Sequence, residues 1–257
     1  MKTLKAITAA VATMTCAIAL SAPCAYASSI QDVSDGMQYL SGDITGDGYK
    51  DLIAAVSYTN DYGVRYGLNI CVNDKQFRDY EDSGARYLDA YVLNFDNGKS
   101  ALYLNWMRGS RYSDPHGLFT FPGGDTMRQE VNLSKLYPGG TSDASSVSVS
   151  GNTATATVSV RGFSSGDPAH SDFDYSVKFK WSGDRLVRAS NTCKVLDPQW
   201  TAPQYSSYKI YKTPGSKKLV TTVKKGAKAK PIKIRFVGKK VYMQVKTKAG
   251  KVGWYRA

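Results

Sequence analysis

The chain has 257 residues, 42% of them hydrophobic and 21% charged, with a net charge of +13. That is enough for one or two domains with a real core, and no stretch is long and apolar enough for a membrane-spanning helix. The charge is divided: residues 201–257 hold 14 Lys, 2 Arg and no Asp or Glu (+16), whereas residues 28–200 set 16 basic side chains against all 21 acidic ones (−5). Such a split points to two tasks, one suited to a cation and one to a polyanion.

Lys2 and Lys5, the apolar run from Ala6 to Leu20 and the small-x-small triplet Ala25-Tyr26-Ala27 read as an export signal over residues 1–27, so that the mature chain begins near Ser28. Cys24 follows Pro23 and Cys16 follows Thr15, neither of which suits a lipobox. The expected product is a soluble, secreted or wall-associated monomer. In the export compartment, the remaining pair, Cys71 and Cys193, predicts a disulfide, with two buried thiols as the alternative.

Gly42 to Asp51 comes next, with oxygen-bearing residues at alternate positions. Asp43, Thr45 and Asp47 fall at positions one, three and five of a metal loop, the Tyr49 carbonyl at seven and Asp51 at nine, with Gly48 allowing the sharp turn. That spacing predicts one Ca²⁺ site. Ala54 stands where an EF-hand needs a bidentate Glu, and no helix signal flanks the loop. The competing reading is an Asx-turn loop whose carboxylates cap backbone amides without metal.

From there to residue 197 the pattern predicts strands: Tyr66–Val72, Leu88–Asn94, Ala101–Trp106, Thr153–Val160 and Tyr175–Trp181. Asp96-Asn97-Gly98-Lys99 is a hairpin turn, because Asn and Gly tolerate positive φ. Ser150-Gly151-Asn152 and Ser182-Gly183-Asp184 read as further tight turns. One helical patch is predicted over Asp125–Tyr137, from the loose periodicity of Met127, Val131 and Leu133.

No catalytic motif is convincing. Gly162-Phe163-Ser164-Ser165-Gly166 spells G-x-S-x-G but lacks the following helix of a nucleophile elbow. His170 with Asp172 and Asp174, and His116 after Asp114-Pro115, read as loop histidines. Glu81 and Glu130 are the only glutamates, so paired carboxylates for glycoside cleavage would have to come from Asp. Cys71 lies mid-strand, without the helix N-terminus that would acidify a thiol. An enzyme is the minority reading: a wall- or glycan-acting hydrolase using Asp residues and His170.

Pro198, Pro203 and the polar run after it mark a linker over 198–206. Beyond it, Leu219–Val223, Ile232–Phe236, Val241–Val245 and Val252–Tyr255 are short strands of strict alternation, predicting a small barrel over 207–257. Lys224, Lys225, Lys233, Arg235, Lys239, Lys240 and Lys246 form its cationic exterior, and Trp254 is a packing anchor with its ring edge open to ligand. Lysine-only charge suits diffuse contact with an anionic polymer. Export argues against nucleic acid as the physiological partner. Tyr242 and Tyr255 offer a glycan-stacking alternative.

Two resemblances sharpen this reading. Gly42 to Val56, with Gly46-Asp47-Gly48 and Asp51-Leu52-Ile53, resembles the FG-GAP and VCBS repeats of secreted β-propeller proteins, which implies calcium at Asp43, Thr45, Asp47, Asp51 and the Tyr49 carbonyl. Tyr208-Lys209-Ile210-Tyr211, Val223-Lys224-Lys225-Gly226 and Gly250-Lys251-Val252-Gly253-Trp254 resemble bacterial SH3-like modules, including the Gly-Trp modules of Gram-positive walls. The expectation is therefore an all-β protein: an antiparallel meander or degenerate propeller-like domain over 28–197, plus a small SH3-like barrel. It would act as an exported, calcium-stabilised binding or adhesion protein that docks on an anionic wall polymer or glycan.

Overall fold

A computed structural model describes residues 27–59, 65–79, 85–108, 111–137, 141–161, 172–201, 203–204 and 206–257. Residues 1–26 of the predicted export signal, Glu81, the Gly162–Gly166 motif and His170 lie outside the described residues.

The described chain is all β. The first sheet uses β1 (Ser29–Asp32), β2 (Tyr39–Leu40), β3 (Leu52–Thr59), β4 (Arg65–Val72), β5 (Lys75–Asp79), β6 (Ala85–Asn94), β7 (Ser100–Arg108), β8 (Arg111–Thr120) and β9 (Arg128–Asn132). They run β2-β3-β4-β6-β7-β8-β9, with β1 beside β6 and β5 beside β4, and every pairing is antiparallel. The predicted helix over Asp125–Tyr137 is instead strand β9 and a turn. Val131 and Leu133 are both buried, which is the period of two of a strand on an edge.

The second sheet uses β10 (Thr141–Ser150), β11 (Thr153–Arg161), β12 (Phe173–Ser182), β13 (Arg185–Arg188), β14 (Thr192–Leu196), β15 (Tyr208–Tyr211), β16 (Leu219–Val223), β17 (Ala229–Val237), β18 (Lys240–Thr247) and β19 (Val252–Arg256). Its order is β10-β11-β12-β14-β17-β18-β19-β15-β16, with β13 on β12. Among the described residues neither sheet closes into a barrel. The C-terminal strands therefore continue an open sheet, where a small closed barrel was expected. The join is β14 against β17, with Thr192 opposite Arg235, Cys193 opposite Ile234 and Lys194 opposite Lys233. The expected linker is fastened as well. Thr201 and Gln204 are buried, Thr201 N and Gln204 N donate to the carbonyls of Ala229 and Ala227, and Gln204 Nε2 donates to Thr201 Oγ1.

Two cores follow from strand alternation. Val92, Leu102, Leu104 and Trp106 pack with Ile53, Leu68, Ile70, Phe119 and Phe121 on one side of the first sheet. Leu93, Ala101 and Tyr103 point the other way, into a core shared with Val158, Tyr175, Val177 and Phe179 and continuing through Ile234, Met243, Val245 and Tyr255. Burial on both faces explains the unbroken apolar runs of β6 and β7. Among the described residues, no helix is long and apolar enough to cross a membrane.

The predicted Cys71–Cys193 bond is absent: both cysteines are free. Cys71 is on β4 of the first sheet and Cys193 on β14 of the second. Burial pushes the Cys193 thiol up to about 11 and raises that of Cys71. Native protein at pH 8 should therefore leave Cys193 unalkylated by iodoacetamide, with both cysteines labelled once denatured. Recovery of a disulfide-linked peptide pair by mass spectrometry would contradict this. A thiol held neutral by the fold contributes in full below its unfolded value and progressively less as pH rises towards the raised one. Stability should fall as pH rises from about 9 towards 11, as the unfolded chain releases a proton that the native one keeps.

Candidate functional site: an acidic loop and a lysine-lined groove

The loop between β2 and β3 is anchored on the β6–β7 turn. Asp43 N donates to the Gly98 carbonyl at 2.9 Å, and Ser100 N donates to the Asp43 carbonyl at 2.8 Å. Gly42 makes that approach possible, since a Cβ there would lie 2.5 Å from Ser100 Oγ and 2.7 Å from the Gly98 carbonyl. The Asp43 carboxylate accepts from the backbone amides of Gly46, Asp47 and Gly48, and Asp47 Oδ1 accepts from Tyr49 N. Asp51 is 1% exposed. Its Oδ2 accepts from Ile44 N at 2.8 Å and Thr45 N at 3.0 Å, and its Oδ1 from Asn73 Nδ2 at 2.8 Å and Thr45 Oγ1 at 3.3 Å.

This bonding corresponds to the backbone-capping alternative. Each Asp51 oxygen already meets two donors, and the Thr45 hydroxyl is turned onto it. Asp43, Asp47 and Asp51 do not converge, and among the described residues no three His, Cys, Asp or Glu side chains do so on a point able to hold a metal ion. In this arrangement two of the five predicted ligands, Asp51 and Thr45, are turned onto the loop itself.

A groove of about 510 Å³ lies where β9 meets β13, lined by Glu130, Asn132, Leu136, Arg185, Val187 and Arg188 among others. The Glu130 side chain is 1% exposed. It accepts from Thr120 Oγ1 at 2.7 Å, Arg128 Nε at 2.5 Å and Arg185 Nε at 2.9 Å. Arg128 also donates to the Asp184 carbonyl at 2.6 Å, so the network ties the two sheets together. Among the described residues Glu130 is the one carboxylate lining this groove, and it accepts from three donors. Glu130→Ala should destabilise the protein by about 2–3 kcal/mol, as buried Thr120 and two arginines lose a buried, charged acceptor. A denaturation midpoint equal to wild type would show the network to be ornamental. His116, expected in a loop, is fully buried on β8 with Nδ1 2.9 Å from Ser134 Oγ.

The second groove, about 480 Å³, opens at the end of β16 beside the β18–β19 turn. Lys224, Lys228, Lys248 and Lys251 line it together with Thr222 and Thr247. Two turns shape it. Gly226 (φ +80°) and Gly250 (φ +77°) take the left-handed backbone that glycine allows, and Lys251 N donates to Thr247 Oγ1 at 3.1 Å. No carboxylate occurs in residues 201–257 to neutralise these ammonium groups.

Of the predicted polyanion contacts, Lys224 lines this groove and Lys225 adjoins it. Lys239 and Lys240 stand exposed at the β17–β18 turn, while Lys233, Arg235 and Lys246 are exposed on the outer face of the sheet. Trp254 is 8% exposed and Tyr255 is 3% exposed, its hydroxyl 3.4 Å from Met243 Sδ. Both are packing residues here, and neither offers an open ring to a sugar. Lys228, Lys248 and Lys251 escaped the sequence reading because they sit in turns, whose spatial neighbours only the strand order reveals. The pairs of lysines flanking Gly226 and Gly250 were the available signal. No family model, curated protein or solved structure matches the chain.

Proposed function

We propose that the protein is an exported, envelope-associated binding protein that holds an anionic polymer in the groove formed by Lys224, Lys228, Lys248 and Lys251. One observation carries this reading: four lysines and three threonines (Thr221, Thr222 and Thr247) line one groove in a segment without a single acid. Solubility alone does not call for such one-sided charge. Lysine supplies hydrated point charges, which suit a flexible anionic chain better than one fixed, bidentate ligand. The export signal puts wall polymer, and not nucleic acid, within reach. Calcium has a secondary place, as a weak ligand of the exposed loop that carries Asp43, Asp47 and Tyr49.

The test uses the chain from Ser28 to Ala257 with long-chain polyphosphate and isolated Gram-positive walls as probes. Saturable binding is expected at 50 mM NaCl, with loss of most affinity at 500 mM, as counterion release requires. Retention unaffected by salt would rule out the charge mechanism.

A further inference from the structure

The outer face of the second sheet sets like charges directly against each other. Lys194 on β14 is opposite Lys233 on β17, and Lys230 on β17 is opposite Lys246 on β18. Directly opposed residues stand about 5 Å apart at Cβ, and like charges there are destabilising. The neighbouring row brings Thr192, Arg235, Tyr242 and Arg256 into line across β14, β17, β18 and β19. On the other side, Ser176 on β12 is opposite Lys194, and Lys178 and Lys180 stand exposed further along β12. Among the described strand positions of this face, from β12 to β19, the one acid is Asp174. An uncompensated ladder of this kind lowers stability and is relieved by an anion shared between the rows.

We propose that this face is a second track for the polymer held in the groove, that it crosses from the C-terminal strands onto β14 and β12, and that the polymer carries a phosphate in each repeat. The inference rests on the polyanion reading above. Ammonium pairs bind phosphate as point charges, and the adjacent Ser and Thr hydroxyls can donate to its remaining oxygens. Strands about 4.8 Å apart offer Lys194 on β14, Lys233 and Lys230 on β17 and, two residues along from Gln244, Lys246 on β18.

Lys194→Gln and Lys233→Gln in the full mature chain provide the test, with long-chain polyphosphate as probe and polygalacturonate as the carboxylate control. Without polymer, each variant should melt about 1–2 °C higher than wild type, because a repulsion is gone. With polyphosphate at 100 mM NaCl, each should bind about threefold more weakly. Polyphosphate affinity unchanged in both, while groove variants still lose theirs, would overturn the track and leave the groove reading standing. Absence of polyphosphate binding by wild type would overturn both. Equal affinity for polygalacturonate would overturn the phosphate assignment.

A separate observation lies at the start of the described chain. Ser28 N donates to Asp96 Oδ1 at 2.7 Å, and Gly151 N donates to Ser28 Oγ at 3.1 Å. Asp96 is in the β6–β7 turn of the first sheet, and Gly151 is in the β10–β11 turn of the second. The two turns also bond directly, Asp96 N to the Gly151 carbonyl at 3.2 Å and Asn97 N to Asn152 Oδ1 at 2.8 Å. We infer that processing after Ala27 completes this junction. Water adds across the Ala27–Ser28 peptide bond, Ala27 departs as a carboxylate, and Ser28 N takes up a proton to become an ammonium already in contact with Asp96. This inference rests on the export reading.

Mass analysis of the exported protein should find Ser28 at its N-terminus. A chain starting at Ser28 should melt about 1–3 °C above one starting at Ala27, and Asp96→Asn should erase that difference and speed trimming by an aminopeptidase. A verified Ser28 start with equal melting temperatures would overturn the junction alone. A different start residue would overturn the cleavage reading along with it.

Discussion

Replacing Asp51 with alanine is expected to cost about 3 kcal/mol of stability, equally with and without calcium. Four donors end on that one carboxylate, and two of them are backbone amides, Ile44 N and Thr45 N. Ile44 is itself 2% exposed and packs into the first core, so water cannot easily replace the lost acceptor. A buried donor left unsatisfied costs about 1–3 kcal/mol. Asp47→Ala is the contrast. Asp47 is exposed and accepts only from Tyr49 N, so its loss should cost less than about 1 kcal/mol. Denaturant unfolding in EGTA and in 5 mM calcium separates a clamp from a ligand. If Asp51→Ala is harmless in EGTA and harmful only with calcium, Asp51 belongs to the ion.

Neutralising the groove should have the largest effect on binding. The variant Lys224→Gln, Lys228→Gln, Lys248→Gln, Lys251→Gln should bind polyphosphate at least about tenfold more weakly at 100 mM NaCl, and its log–log salt dependence should flatten by roughly 3, at about 0.7 per lost contact. All four side chains are exposed and have no ion pair among the described residues, so the fold should be unaffected within about 1 kcal/mol. A salt slope equal to wild type would move the binding elsewhere on the molecule.

Strand content was legible because it is local. Turns at Asn97-Gly98, Gly151-Asn152 and Gly183-Asp184 sit where their positive-φ glycines require, and the alternation of Ile234, Phe236, Val241, Met243 and Val245 marks their inward face. The pairing of β14 with β17 was not legible. Those strands are separated by a proline-bearing segment, and nothing in either one encodes its partner or its register. The same ignorance made Cys71 and Cys193 look like a bonded pair and left Lys228, Lys248 and Lys251 unconnected. At the acidic loop, the sequence displayed both readings, since oxygens spaced for a cation are also spaced for backbone amides. Only the burial of Asp51 and Thr45 separates the two.

The seam between β14 and β17 also has a mechanical consequence. If the C-terminal strands grip a polymer as proposed, traction on it would pass sideways into β14 and β12 through ladder bonds, which share the load when pulled along the strand direction. A detachable anchor on a loose tether would swivel and then tear at the tether. Here the grip and the body should yield together, in one force peak.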